Sequence, residues 1–251
     1  MNKQIMTHIV AGYPSLKASE EIALTMIEVG VYFIEIQIPF SDPVADGPVI
    51  MQANEKALKA GTKVEDCFKL MEKLCAKNST TKFLFMSYFN ILHSYGVEKF
   101  CKKAQECGCY GLIVPDMPLD EEEHEHYLEN CQKFGLKAVQ VVSPLSTDER
   151  LKKIAKVASG LVYCISRYGT TGVSSTLNTN LSGYLRKVKK YIQLPLAVGF
   201  GISDKSHVQA VWQEAEIAVI GSKVVRLIDE GGNYLPKIEK FLKQIKDADR
   251  K

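Results

Sequence analysis

Eight times along this chain a short β-rich run gives way to an amphipathic stretch, and that alternation restricts the fold more than any other feature. The runs are HIVAGY, VYFIEIQ, KFLFMS, YGLIV, LKAVQVV, LVYCIS, LPLAVGF and IAVIG. Between the first two, SLKASEEIALTMIEVG sets Ile22, Met26 and Ile27 on one stripe at helical spacing. Gly30, Gly108, Gly135 and Gly160 each stand one or two residues before a strand. A glycine there ends a helix by taking a left-handed conformation. Eight strand–helix units in 251 residues fit the length and rhythm of an α/β chain folded as a (β/α)8 TIM barrel. A doubly wound open sheet competes, but no glycine-rich dinucleotide fingerprint follows the first strand. No shift in composition marks a second domain, so a single TIM-barrel domain is expected over residues 1–251.

Composition removes several classes of function. A net charge of +3, from 32 basic and 29 acidic residues, is too slight for a nucleic-acid surface. The tyrosines and phenylalanines are dispersed among apolar segments, without the basic and aromatic stripe that single strands need. No apolar run is long enough for a spanning helix, and MNKQIMTHIVAGYP lacks the core of a signal peptide. The cysteines, at 67, 75, 101, 107, 109, 131 and 164, are odd in number and scattered. They are expected to be reduced, mostly buried thiols of a cytoplasmic protein.

Within IEIQIPFSDPVADGP (34–48) the chain places polar residues on an apolar strand. Alternation puts Phe33, Glu35 and Gln37 on one face and Ile34, Ile36 and Ile38 on the other. The apolar set suits contact with helices, which leaves Glu35 inside the barrel near its C-terminal mouth, where barrel active sites sit. Burial disfavours a carboxylate's charge, so Glu35 is either neutralised by a neighbouring Lys or Arg or used to exchange a proton. Asp46 opens a helical run, ADGPVIMQANEKALKA. It is either an N-terminal cap there or a second carboxylate facing the same cavity.

Toward the C-terminus, VGFGIS (198–203) and VIGS (219–222) place glycines where helices are about to start. Such loops either make tight turns or let N–H groups close on an anion, the usual phosphate site of barrels. The long polar loop SRYGTTGVSSTLNTN reads as a lid or as a surface loop without function. Other candidates weaken. His124 and His126 are two apart on an expected helix and diverge, and Lys82 begins its strand at the wrong end for a Schiff base. No HExxH, metal-spaced cysteine pair or nucleophile elbow is present, so no metal is expected.

In this order the motifs resemble the tryptophan synthase α subunit family. PFSDPVADGP (39–48) is the most specific, supported by AGYPS, PDMP (115–118), SRYGTTG (166–172), GFGIS and GS (221–222). The resemblance implies cofactor-free retro-aldol cleavage of indole-3-glycerol phosphate to indole and glyceraldehyde 3-phosphate. It makes Glu35 the acid–base group and Asp46 the acceptor of the indole N–H. Gly172, Gly201, Gly221 and Ser222 would hold the phosphate. Met86, Ile113, Tyr163 and Phe200 would line the indole pocket, and Thr171 would be the lid residue that orders Asp46. Asp42, Pro43, Asn90 and Pro118 would face the pyridoxal-phosphate-dependent β subunit, which receives the indole in an α2β2 assembly.

Departures from the family pattern fall on the same site. Gln37 stands where the family usually has glycine, and His8 where it prefers phenylalanine. Gln37 would either fill substrate space or hydrogen-bond the catalytic carboxylate. The lid reads Gly169-Thr170-Thr171 where Gly-Val-Thr is usual, and the N-terminal cap of the barrel is expected to be shortened. The leading expectation is a working lyase. The alternative is a catalytically weak or inactive α subunit acting mainly as an allosteric activator of the β subunit.

Overall fold

A computed structural model of the chain describes residues 3–165, 181–199 and 201–249. Its strands are β1 (Gln4–Val10), β2 (Phe33–Gln37), β3 (Lys82–Met86), β4 (Gly111–Ile113), β5 (Lys137–Val142), β6 (Val162–Ile165), β7 (Leu196–Gly199) and β8 (Ile217–Ile220). All pair in parallel and in chain order, and β1 joins β8 through registers such as Met6 with Val219, which closes the barrel. Helices flank the strands, as the (β/α)8 reading requires. The first strand differs from its expected span: it begins at Gln4, and Ala11 and Gly12 already belong to the turn. Gln4 and Thr7 hide its start, because Thr7 is buried with its hydroxyl 3.1 Å from the Met26 sulfur on the adjoining helix.

Strand alternation sorts the apolar residues into two layers. Ile34 and Ile36 pack outward with Ile22, Met26 and Phe68 of the helices, each such aliphatic side chain contributing about 1.5–3 kcal/mol by leaving water. Met6, Phe33, Leu84, Met86, Ile113, Val139, Ala197, Ile217 and Val219 fill the barrel interior. At Gly111 two strands approach so closely that a Cβ would stand 2.4 Å from the Lys137 carbonyl oxygen.

Helix ends follow local chemistry. Ser15 accepts from the Ala18 N–H at the start of Leu16–Val29, and Gly30 ends that helix at φ 82°. The run containing His124 and His126 is not one helix. Glu122–Glu125 stops at His126, whose φ of 52° breaks the turn before Tyr127–Lys133 begins. Among the described residues no helix precedes β1, and Trp212 Nε1 donates to the Gln4 carbonyl at 3.1 Å beside the start of that strand. Among the same residues no helix is long and apolar enough to cross a membrane. The cysteines are free thiols; burial pushes Cys109 up to about 12 and Cys75 to about 11.

Candidate active site

Parallel pairing sets His8 of β1 directly opposite Glu35 of β2. Both project inward from the ladder, and His8 Nδ1 lies 3.2 Å from Glu35 Oε1. The Lys or Arg partner considered for Glu35 is therefore a histidine. Burial works against a charged ring at His8, but the Glu35 carboxylate beside it, with a smaller contribution from Asp46, outweighs that and raises the imidazole above its ordinary 6.5.

Asp46 is not a helix cap. The helix starts at Pro48, its N-cap is Gly47, and no side chain caps it. The carboxylate turns instead into the barrel mouth, where its Oδ2 accepts from Gln37 Nε2 at 2.6 Å and from the Tyr88 hydroxyl at 3.1 Å. Burial raises the Asp46 carboxyl above its usual range, against the two donors and the His8 charge, which pull it down. Gln37 thus reaches a carboxylate, but the one it reaches is Asp46 and not Glu35. Each of the two side chains that depart from the family pattern engages one of the two acids.

Two residues of this arrangement escaped the sequence reading. Tyr88 is fully buried, stacks on Phe40 at 5.2 Å, and accepts from the Ala45 N–H at 3.0 Å while donating to Asp46. Its signal was the inward alternation of Leu84 and Met86 carried two residues past β3. Asn54, also fully buried, accepts from the Phe40 N–H at 3.1 Å and donates to the Ile50 carbonyl. It ties the loop that carries Asp46 to the helix that follows it.

Three buried atoms in the mouth have no hydrogen-bond partner among the described residues: His8 Nε2, Glu35 Oε2 and Gln37 Oε1. Each orphan of this kind costs roughly 1–3 kcal/mol unless another molecule satisfies it. Met86 and Ile113 form buried apolar wall nearby, on the inner faces of β3 and β4. Tyr163 is half-buried on β6, and its hydroxyl lies 3.0 Å from where a Cβ on Gly199 would stand. Burial, together with the Glu35 and Asp46 charges, holds that phenol well above its ordinary value and so protonated.

Gly201, Gly221 and Ser222 are half-buried just beyond the C-terminal ends of β7 and β8. Gly221 is the N-cap of the helix Ser222–Asp229, and a Cβ on it would stand 3.4 Å from the His8 Cβ. His8 thereby stands between Gly221, just past β8, and the carboxylate of β2. Thr171, Gly172 and Phe200, with the rest of the 166–180 loop, lie outside the described residues. Asp42 and Pro118 are exposed on the loops after β2 and β4, and Asn90 is exposed in the first turn of the helix Phe89–Tyr95 that follows β3, whereas Pro43 is buried and its carbonyl accepts the Asp46 N–H at 2.9 Å. Val44, 72% exposed, projects from the same rim.

A family model described as tryptophan synthase alpha chain matches residues 1–250. The tryptophan synthase alpha chain of Syntrophotalea carbinolica is 43% identical over 96% of this chain and 94% of its own. That of Desulfotalea psychrophila is 46% identical over 91% and 89%. Among solved structures, tryptophan synthase from Mycobacterium tuberculosis superposes with a TM-score of 0.91 at 29% identity, covering 100% of this chain and 93% of the other. A tryptophan synthase complex from Pyrococcus furiosus gives 0.88 at 30% identity, covering 98% and 99%.

Proposed function

The chain belongs to the tryptophan synthase alpha chain family, and on that basis we propose that Glu35 and Asp46 cleave indole-3-glycerol phosphate to indole and glyceraldehyde 3-phosphate. The observation that carries the assignment of roles is Glu35 itself. It is a buried carboxylate with one oxygen held by His8 and the other, Oε2, unpaired in the barrel mouth.

Cleaving a carbon–carbon bond requires a sink for its electrons. Protonation of the indole at carbon 3 supplies one, because the ring nitrogen then bears positive charge. In its protonated form Glu35 delivers that proton from Oε2 and, once a carboxylate, takes back the proton of the hydroxyl on the adjoining carbon. The O–H electron pair becomes the aldehyde C=O, the carbon–carbon pair returns to the ring, and Glu35 ends as it began. Asp46 accepts the indole N–H and stabilises the charge developing there, through Oδ1, which takes neither the Gln37 nor the Tyr88 bond. Tyr88 and Gln37 hold it in place. The phosphate rests on N–H groups at Gly201, Gly221 and Ser222, where the helix Ser222–Asp229 begins and its first N–H groups have no intrahelical acceptor. Gly172 belongs to the same reading. Met86, Ile113, Tyr163 and Phe200 line the indole pocket, and Thr171 orders Asp46.

The product indole passes to a β subunit seated on the rim formed by Asp42, Asn90 and Pro118, in an α2β2 assembly of the cytoplasm, with residues 1–251 acting as one domain. The β subunit's own cofactor serves its own reaction; the α half-reaction derived above uses side chains alone. The test is indole release from indole-3-glycerol phosphate, with and without the β subunit. We expect release from the native chain and none from Glu35→Gln. A native chain that releases no indole while accelerating the β reaction would replace the lyase reading with that of an allosteric activator.

A further inference from the structure

Of the three unpaired atoms in the mouth, Glu35 Oε2 has a task in the acid–base step, while His8 Nε2 and Gln37 Oε1 have none. Each is the far end of a side chain whose near end is committed to a carboxylate, and the partner fixes its chemistry. An ionised Asp46 only accepts, so the Gln37 amide must present Nε2 to it at 2.6 Å. That leaves Oε1 as an acceptor and nothing else. Glu35 likewise takes the Nδ1–H of His8, which leaves Nε2 to hydrogen-bond elsewhere. Gln37 faces the ring as a weak hydrogen-bonding partner that favours its charged form, but the contact falls outside hydrogen-bond geometry and leaves Oε1 and Nε2 both unsatisfied. A hydroxyl satisfies both, accepting from one and donating to the other.

Position narrows the choice of hydroxyl. His8 stands opposite Glu35 in the β1–β2 register and beside Gly221, where a Cβ would stand 3.4 Å from its own, so it lies between that phosphate glycine and the reacting acid. Gln37 stands two residues further along β2 on the same face as Glu35, with its amide on Asp46, the residue assigned to the indole nitrogen. An apolar wall would suit indole; two buried polar ends, His8 at 7% exposure and Gln37 at none, suit a polyol. We infer that His8 Nε2 is a substrate contact that hydrogen-bonds the hydroxyl-bearing three-carbon chain between the phosphate and the bond to be broken, with Gln37 Oε1 accepting from the same chain. This deepens the lyase reading and rests on it.

The contact is tested by binding without catalysis. Calorimetry on the full chain compares glycerol 3-phosphate with propyl phosphate, which has the phosphate and the three carbons but no hydroxyl. The native chain should prefer the glycerol ester by about tenfold, the size of one to two ordinary hydrogen bonds. His8→Phe should lose that preference by weakening only the glycerol ester. His8→Gln, whose amide reaches to where Nε2 sits, should keep most of it, while His8→Asn, which reaches only as far as Nδ1, should not. A preference unchanged in His8→Phe, or an equal loss for both esters, would overturn the inference. Failure of the lyase reading has a separate signature, absence of indole release by the native chain, which leaves the ester comparison untouched.

Discussion

Tyr88→Phe removes a single oxygen from the most buried part of the site and separates packing from hydrogen bonding. The ring is fully buried and stacks on Phe40 at 5.2 Å, contacts that phenylalanine retains. Two hydrogen bonds go with the oxygen: from the Ala45 N–H at 3.0 Å, and to Asp46 Oδ2 at 3.1 Å. The first is neutral and contributes about 0.5–1.5 kcal/mol; the second ends on a carboxylate and contributes about 1.5–3 kcal/mol. Their sum, about 2–4.5 kcal/mol, is a large fraction of the ~5–15 kcal/mol that holds a typical domain together, yet should leave the chain folded. Burial and the Asp46 charge keep the phenol protonated, so it is a donor at every working pH. Without it the Asp46 carboxyl keeps, among the described residues, Gln37 as its side-chain donor and should titrate higher still. Urea unfolding should show an earlier midpoint with an unchanged slope, and kcat/KM for indole release should fall about tenfold or more. A stability change below about 0.5 kcal/mol with full activity would mean that neither bond matters, and that Asp46 is held by something else.

Other perturbations probe the same network. His8 has a folded pKa above its unfolded 6.5, so the stability it contributes is complete below about 6.5 and lost as pH rises through the folded value. The stability difference between the native chain and His8→Phe should therefore shift against the native chain between pH 6 and pH 9 in urea titrations; a pH-independent difference would show that the ring does not titrate against Glu35. Asp46→Asn keeps an oxygen for Gln37 while removing a buried charge that the fold disfavours, so the variant should unfold about 1 kcal/mol later yet release indole at least tenfold more slowly. Gln37→Glu would set a second carboxylate beside Asp46, raising its pKa, and the acidic limb of the activity profile should move to higher pH. Gly111→Ala drives a methyl to 2.4 Å from a strand carbonyl that cannot step aside, and thermal unfolding should reveal a loss above about 2 kcal/mol.

The barrel was legible because apolar runs, helical stripes and terminal glycines repeat at one rhythm, and each signal is local. Alternation also placed Glu35 and Gln37 on the inner face correctly, since a period of two leaves no other choice. Where a side chain ends up after it enters the mouth was not legible. Gln37 could be aimed inward from sequence, but choosing Asp46 over Glu35 depends on how the loop after β2 folds back, a turn shaped by Asn54 and by the Pro43 carbonyl. Asp46 carries a residue type suited to capping, and only the competing donors Gln37 and Tyr88 decide against it. The pairing of His8 with Glu35 follows from the β1–β2 register, which brings together residues far apart in the chain. The start of β1 was obscured for the opposite reason: Gln4 and Thr7 look like loop residues until the sulfur of Met26 gives the threonine a partner.

The ring of strands closes where β1 meets β8, and His8 stands at that seam with Gly221 at its back and Glu35 before it. During synthesis β1 is made first and β8 nearly last, so the two halves of the site are separated by almost the whole chain until the end. A nascent or truncated chain lacking the final strand holds both acids but no floor for the phosphate and no wall behind the histidine. Long-range closures of this kind are the slow part of folding. Indole release consequently reports more than chemistry: its first appearance after refolding should time the moment at which the two ends of the polypeptide meet.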